Sequence, residues 1–308
     1  MNPITGLLGA LGVVTAVFVG IWGRAIRAAV REVGPNSSPH TDARFPTVFQ
    51  MGVGFVTNFL DTLGIGNFAT TTAVFRLRRI VDDRIIPGTL NIGHAIPTIT
   101  ETFIYTVIIP VDITTMFSMI AASVLGAWLG AGVVARWPKR NIQIGMGIAL
   151  LVAAILMFMT QVNLFPGGGD ATGVRGVRLA IAVIANFGLG ALMTLGIGLY
   201  APCLILVSVL GMNPKAGFPI MMGSCAFIMP IGSLRFIRER SFSLRPALGL
   251  LIGGVPGVLL AAFIVKQLPL YAMRWVVIIV VVYGAFSMLS SVFGAEREAV
   301  VQVAKVEA

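Results

Sequence analysis

Thr62-Leu63-Gly64-Ile65-Gly66 occurs twice in this chain, returning unchanged as Thr194-Leu195-Gly196-Ile197-Gly198 after 194 − 62 = 132 residues. The register holds beyond the motif: Ala69 matches Ala201, Pro87 matches Pro219 and Ile96 matches Ile228. With one residue dropped it continues, Gly126 matching Gly257 and Pro138 matching Pro269. The chain is therefore a duplicated unit, and each copy carries a Gly-x-Gly break inside apolar sequence. Glycine lets the backbone turn without a Cβ penalty. In lipid, such a break survives only where protein or a cavity satisfies the freed backbone groups.

Composition places the unit in a membrane. Of 308 residues, 57% are hydrophobic and 11% charged, and the mean hydropathy is +0.94, which excludes a soluble domain of this size. Apolar runs of roughly 20 residues read as transmembrane helices. The formal net charge is +10. Much of it clusters beside apolar runs, which argues for membrane orientation and against nucleic-acid binding. Cys203 and Cys225 lie inside apolar segments without metal-ligand spacing and read as packing residues. The first apolar run lacks a basic start and is followed by Arg24, Arg27 and Arg31, the pattern of a retained helix more than of a cleaved signal peptide.

The expected fold is an all-α polytopic membrane protein: an N-terminal helix plus two inverted repeats, each a broken, re-entrant hairpin segment followed by three transmembrane helices. Residues 1–30 hold the N-terminal transmembrane helix, centred on 3–24, and 31–46 a polar linker. Repeat one covers 47–161, with its broken segment at 47–79 and helices near 85–109, 113–136 and 142–160. An inter-repeat loop covers 162–176. Repeat two covers 177–293, with its broken segment near 177–211 and helices near 218–236, 244–265 and 273–292. A polar tail, 294–308, closes the chain.

Arginine placement supports the inversion. In repeat one the loop after the broken segment holds Arg76, Arg78, Arg79 and Arg84, and the next loop, at Pro110-Val111-Asp112, has no basic residue. In repeat two the order reverses: Lys215 alone, then Arg235, Arg238, Arg240 and Arg245. The positive-inside rule then inserts the repeats in opposite senses. Opposite insertion needs an odd number of crossings per repeat, hence a broken segment that enters and leaves on one side. Arg175 and Arg178 before the second break, and Lys266 and Arg274, run against this pattern. A fold with each broken segment as two short crossings stays open.

Two groups of residues could carry chemistry. After each Gly-x-Gly turn the second half-helix presents unpaired N–H groups and the positive end of its dipole, a ready anion site. Paired breaks in two repeats also mark a transporter's binding site. Gly64, Gly66, Gly196 and Gly198 supply that backbone, and Asn58, Thr62, Asn67, Asn91, Thr194 and Tyr200 complete a candidate substrate shell. The alternative is that the glycines only permit close helix packing. On the next helix Asn91, His94, Thr98 and Glu101 fall at steps of 3, 4 and 3, one helical face. Ionisable groups in a membrane span face a partner or a water-filled path. Glu101, His94 and Asp61 are therefore candidates for proton coupling, against the alternatives of a structural hydrogen-bond network and, for Asp61, a helix cap. The stripe is not duplicated: Gly223, Ala226, Pro230 and Ser233 stand at the matching positions.

The two repeats about 130 residues apart, the G-x-G breaks, and the run Gly196-Ile197-Gly198-Leu199-Tyr200-Ala201-Pro202 followed by Asn213-Pro214-Lys215-Ala216 resemble the TauE/SafE family of sulfite and organosulfonate exporters. Many members carry three glycines after the break, where this chain has Asn67-Phe68-Ala69-Thr70 and Leu199-Tyr200-Ala201-Pro202. The resemblance implies a secondary transporter, not an enzyme, in a bacterial inner membrane. It implies export of a small sulfur-containing anion such as sulfite or sulfoacetate, without a cofactor, with protons as candidate coupling ion and a homo-oligomer allowed. A passive anion channel, a membrane enzyme and a non-transporting subunit are the competing expectations.

Overall fold

The computed structural model describes residues 3–31, 38–134, 138–164, 169–193 and 199–264, with isolated positions between 275 and 289. The described secondary structure is helical: α1 (Pro3–Arg31), α2 (Val48–Thr62), α3 (Phe68–Leu77), α4 (Ile86–Ile108), α5 (Ile113–Val134), α6 (Lys139–Gln161), α7 (Gly176–Met193), α8 (Tyr200–Val209), α9 (Gly217–Arg238) and α10 (Leu244–Ile264). Among the described residues the only β-type pairing is an isolated parallel bridge between Ala171 and Met212. Among the described residues, five spans are long and apolar enough to cross a membrane: α1, residues 113–130 of α5, α7, α9 with the turn before it, and residues 244–263 of α10. The chain is a multi-pass, all-helical membrane protein. The expected last helix, 273–292, falls mostly outside the described residues. Its Trp275 meets Phe158 of α6 edge to face, with ring centroids 5.8 Å apart.

Local sequence explains where helices begin and end. Thr47 caps α2: its hydroxyl accepts from Gln50 N, and the Gln50 side chain accepts in return from Thr47 N. α2 stops where Gly64 (φ 80) and Gly66 (φ 91) adopt left-handed backbone. α3 and α8 end in the same cap, 132 residues apart. Arg79 N bonds Arg76 O and Ile80 N bonds Phe75 O; Gly211 N bonds Ser208 O and Met212 N bonds Val207 O. These paired bonds satisfy the last carbonyls with a left-handed residue, Arg79 (φ 50) or Gly211 (φ 83), in the turn. A short 3₁₀ turn then leads into each following helix. Asp82 accepts from Arg84 N before α4, and Asn213 accepts from Lys215 N before α9.

α1 runs to Arg31, past the apolar stretch 3–24 and level with the expected helical segment 1–30. Ala25, Ile26 and Ala29 continue its packed face, and Ala29 is buried. Arg27, between them, is exposed and keeps its charge outward while the helix continues.

Packing is dominated by three pairs, α2 with α10, α5 with α7, and α4 with α9. Glycines make these approaches close. A Cβ on Gly257 would strike Phe55 O, and one on Gly126 would strike Phe187 O. Phe55 and Phe187 are 187 − 55 = 132 apart, and the two glycines 257 − 126 = 131. α4 and α9 run antiparallel. Gly88, at the start of α4, packs on Ser241 O just past the end of α9, while Tyr105, near the end of α4, stacks on Phe218 at the start of α9 with centroids 5.5 Å apart.

The two ends of α4 define two faces. At its start lie residues 76–86 and 236–245, rich in arginine. At its end Asp112 N bonds Thr172 O, and Asn213 N bonds Ala171 O. Arg175, awkward in the charge pattern, pairs here with Asp112, Nη2 to Oδ2 at 2.7 Å. That guanidinium, more than any other contact, holds the Asp112 carboxyl well below the usual carboxylate range.

Candidate functional site

The first break positions a buried polar cluster. Its members come from the end of α2 (Asn58, Asp61, Thr62), the break and start of α3 (Asn67, Thr71), the middle of α4 (His94, Glu101) and the start of α8 (Tyr200), and all are buried. Polar side chains bury only with partners, and here they partner one another. His94 Nδ1 lies 3.0 Å from Asn58 Oδ1, and its Nε2 lies 3.0 Å from Thr71 Oγ1. Asn58 donates to Gly54 O, so its Oδ1 accepts, and His94 Nδ1 is the donor toward it. Asn67 Nδ2 donates to Asp61 Oδ2 at 2.7 Å and to Asn58 Oδ1 at 3.2 Å.

Glu101 is the junction between the two halves. Thr62 Oγ1, at the end of α2, lies 2.8 Å from Glu101 Oε1, and Tyr200 Oη, at the start of α8, donates to Glu101 Oε2 at 3.0 Å. These contacts span 39 and 99 residues of chain. Thr62 Oγ1 is also 2.8 Å from Asn58 O. A hydroxyl has one hydrogen, so an ionised Glu101 and Asn58 O compete for it. A protonated Glu101 removes the competition by donating to Thr62 while Thr62 donates to Asn58 O. Asp61 is the chain neighbour of Thr62, whose hydroxyl contacts Glu101, so both carboxyls belong to one cluster. Among the described residues, neither Asp61 Oδ1 nor Thr98 Oγ1, the latter on the Glu101 face of α4, has a hydrogen-bond partner.

The start of α3 has the properties of an anion site. Asn67 occupies the N-cap position, yet its side chain turns back to Asp61 and Asn58 and makes no cap bond. The first backbone bond at this end is Thr71 N to Asn67 O, which leaves the preceding N–H groups directed out of the helix end. A Cβ on Gly66 would meet nothing within 4 Å among the described residues, which leaves space beside the turn. Gly64 is closed in: a Cβ there would lie 3.0 Å from the Phe218 ring.

Asn58, Thr62, Asn67, Asp61, His94, Glu101 and Tyr200 thus come together, with Gly64 and Gly66 in the turn between them. Asn91 is buried but donates to Pro87 O of its own helix and stays outside the bonded network. Thr194, Gly196 and Gly198 lie outside the described residues. The stripe on α4 extends one step further than its four polar members. Tyr105, four residues past Glu101 and so on the same face, donates to Thr62 O at 2.7 Å. Helical spacing alone could have found it.

Searches against family models, curated proteins and solved structures returned no match for this chain.

Proposed function

We propose that the chain is a secondary transporter for a small anion. The observation that carries the reading is the convergence of Thr62 and Tyr200, from the two broken segments, on one buried carboxyl, Glu101. A structural network could be built within either half; this one joins the halves at the positions where each helix is interrupted. Paired interruptions of this kind form transporter sites. The antiparallel run of α4 and α9, and the matched contacts Gly257–Phe55 and Gly126–Phe187, support two inverted repeats about the site. α2 and α3, at about 22 and 15 Å by helical rise, fall short of a hydrocarbon core of roughly 30 Å, which supports the re-entrant hairpin.

The anion would lie in the space beside Gly66, held by the free N–H groups that open α3. Asp61, through Asn67 at the opening of α3, and Glu101, through Thr62, belong to the same buried cluster, and carboxyl groups that share a site do not both ionise readily. An anion would be accepted when the pair is protonated and repelled when it is not. Binding of anion and of proton are then linked, with affinity rising as pH falls. His94, bonded on both ring nitrogens, holds Asn58 and Thr71 in place around the pair. Sulfite and short sulfonates such as sulfoacetate are the substrates to try first, and export from a bacterial cytoplasm the direction, both on the motif resemblance alone.

Flux in proteoliposomes tests this. Saturable movement of sulfite or sulfoacetate, driven by an imposed pH gradient and absent for chloride, is the expected result. Equal chloride flux indifferent to the gradient would replace the transporter with a passive channel. No flux of any of the three would overturn this substrate class.

A further inference from the structure

A pocket lies away from the polar cluster, at the arginine-rich face. It is about 280 Å³ in volume and is lined by Trp128 of α5 and by Ile231, Gly232, Leu234, Arg235, Arg238 and Glu239 at the end of α9. Sites for small molecules occupy about 300–1,000 Å³, so this one suits a headgroup-sized ligand. Its walls are of two kinds. Ile231 and Leu234 are apolar, while Arg235, Arg238 and Glu239 are charged, and Arg238 and Glu239 are exposed. Trp128 is 62% exposed. An indole with an apolar body and one N–H belongs at the headgroup level of a bilayer.

We propose that this pocket binds a phosphate-type oxyanion, with Arg235 and Arg238 on its oxygens and Trp128 and Leu234 against its less polar end. Guanidinium groups recognise such oxyanions through paired N–H donors. Basic pockets between membrane helices on the positively charged face take lipid headgroups in the same way. The chemistry is shared by two sources, the phosphodiester of an anionic phospholipid and a free inorganic oxyanion. The apolar wall and the interfacial tryptophan suit the phospholipid. The pocket also backs onto the polar stripe of α4: a Cβ on Gly232 would lie 3.8 Å from Asn91 Oδ1. The proposal does not depend on transport, and its test does not use flux.

The test is native mass spectrometry of the full-length protein with added phosphatidylglycerol or phosphatidylethanolamine, alongside thermal unfolding in increasing sulfate. Each positive charge near a headgroup changes affinity roughly fivefold, so Arg235→Gln with Arg238→Gln should weaken phosphatidylglycerol retention by roughly 25-fold. Arg27→Gln, on α1, should leave it unchanged. Glu239→Gln removes the repelling carboxylate and should tighten retention by roughly fivefold, a gain that a misfolded variant cannot mimic. If phosphatidylglycerol follows these variants, the lipid is the source. If sulfate instead raises the unfolding temperature of wild type and Glu239→Gln but not of the double variant, the source is a free anion. Binding of neither, or binding indifferent to Arg235, Arg238 and Glu239, or retention of phosphatidylethanolamine equal to that of phosphatidylglycerol without a sulfate effect, overturns the proposal.

Discussion

Glu101 accepts or shares hydrogen bonds with two hydroxyls in a fully buried position, and its substitutions separate charge from shape. Glu101→Gln keeps the side-chain length and an acceptor for one hydroxyl, so the fold should persist. One of the two carboxyls of the pair is gone, and the pH dependence of sulfur-oxyanion binding should weaken. Glu101→Ala leaves a void in which Thr62 keeps its bond to Asn58 O but the buried Tyr200 hydroxyl loses its partner, at a cost of about 1–3 kcal/mol. The alanine variant should therefore unfold at a clearly lower temperature than the glutamine variant in the same detergent. Equal unfolding temperatures would mean that the Glu101 contacts contribute little to the fold. The residues around it were open to sequence reading to different degrees. Asn91, His94, Thr98 and Glu101 share a face by spacing alone, yet spacing did not say that Asn91 would turn to its own backbone while His94 and Glu101 reach across to α2.

At the scale of elements, the first break makes a graded prediction. Gly64 and Gly66 both have left-handed φ, which costs a residue with a Cβ roughly 1–2 kcal/mol. Gly64→Ala adds contact with the Phe218 ring, whereas Gly66→Ala meets open space. Gly64→Ala should lower the unfolding temperature more than Gly66→Ala, and Gly66→Ala should act mainly on anion affinity because its methyl group enters the proposed site. The ion pair that joins the start of α5 to the loop before α7 makes a second prediction. Because the Asp112 carboxyl titrates lower when folded, its contribution is present above the ordinary carboxylate value of about 4 and is lost as pH falls through the depressed one. Both partners are partly exposed, so the effect is small and screened by salt. Asp112→Asn should lower stability slightly at pH 7 in low salt, and that difference should vanish at acid pH or high salt. A difference that persists under either condition would assign the effect to the Asp112–Thr115 bonds instead.

At the scale of the molecule, inversion of the repeats is the claim to test. In a protein with Cys203 and Cys225 replaced by alanine, a cysteine at Asp112 and one at Ser241 should react with membrane-impermeant reagents from opposite sides. The two positions lie at opposite ends of α4. Labelling from the same side would remove the inverted topology. The sequence by itself determined the duplication, the membrane class, the first glycine break and the polar stripe. All of these rest on hydropathy, spacing and backbone freedom, which act within a helical turn or two of a residue. Only the tertiary structure decided that α2 lies on α10 and α5 on α7, that Arg175 serves Asp112, and that Thr62 and Tyr200 meet on one carboxyl. Those contacts join residues tens to more than a hundred positions apart, and helix packing, through glycines that let backbones touch, selects which distant faces meet.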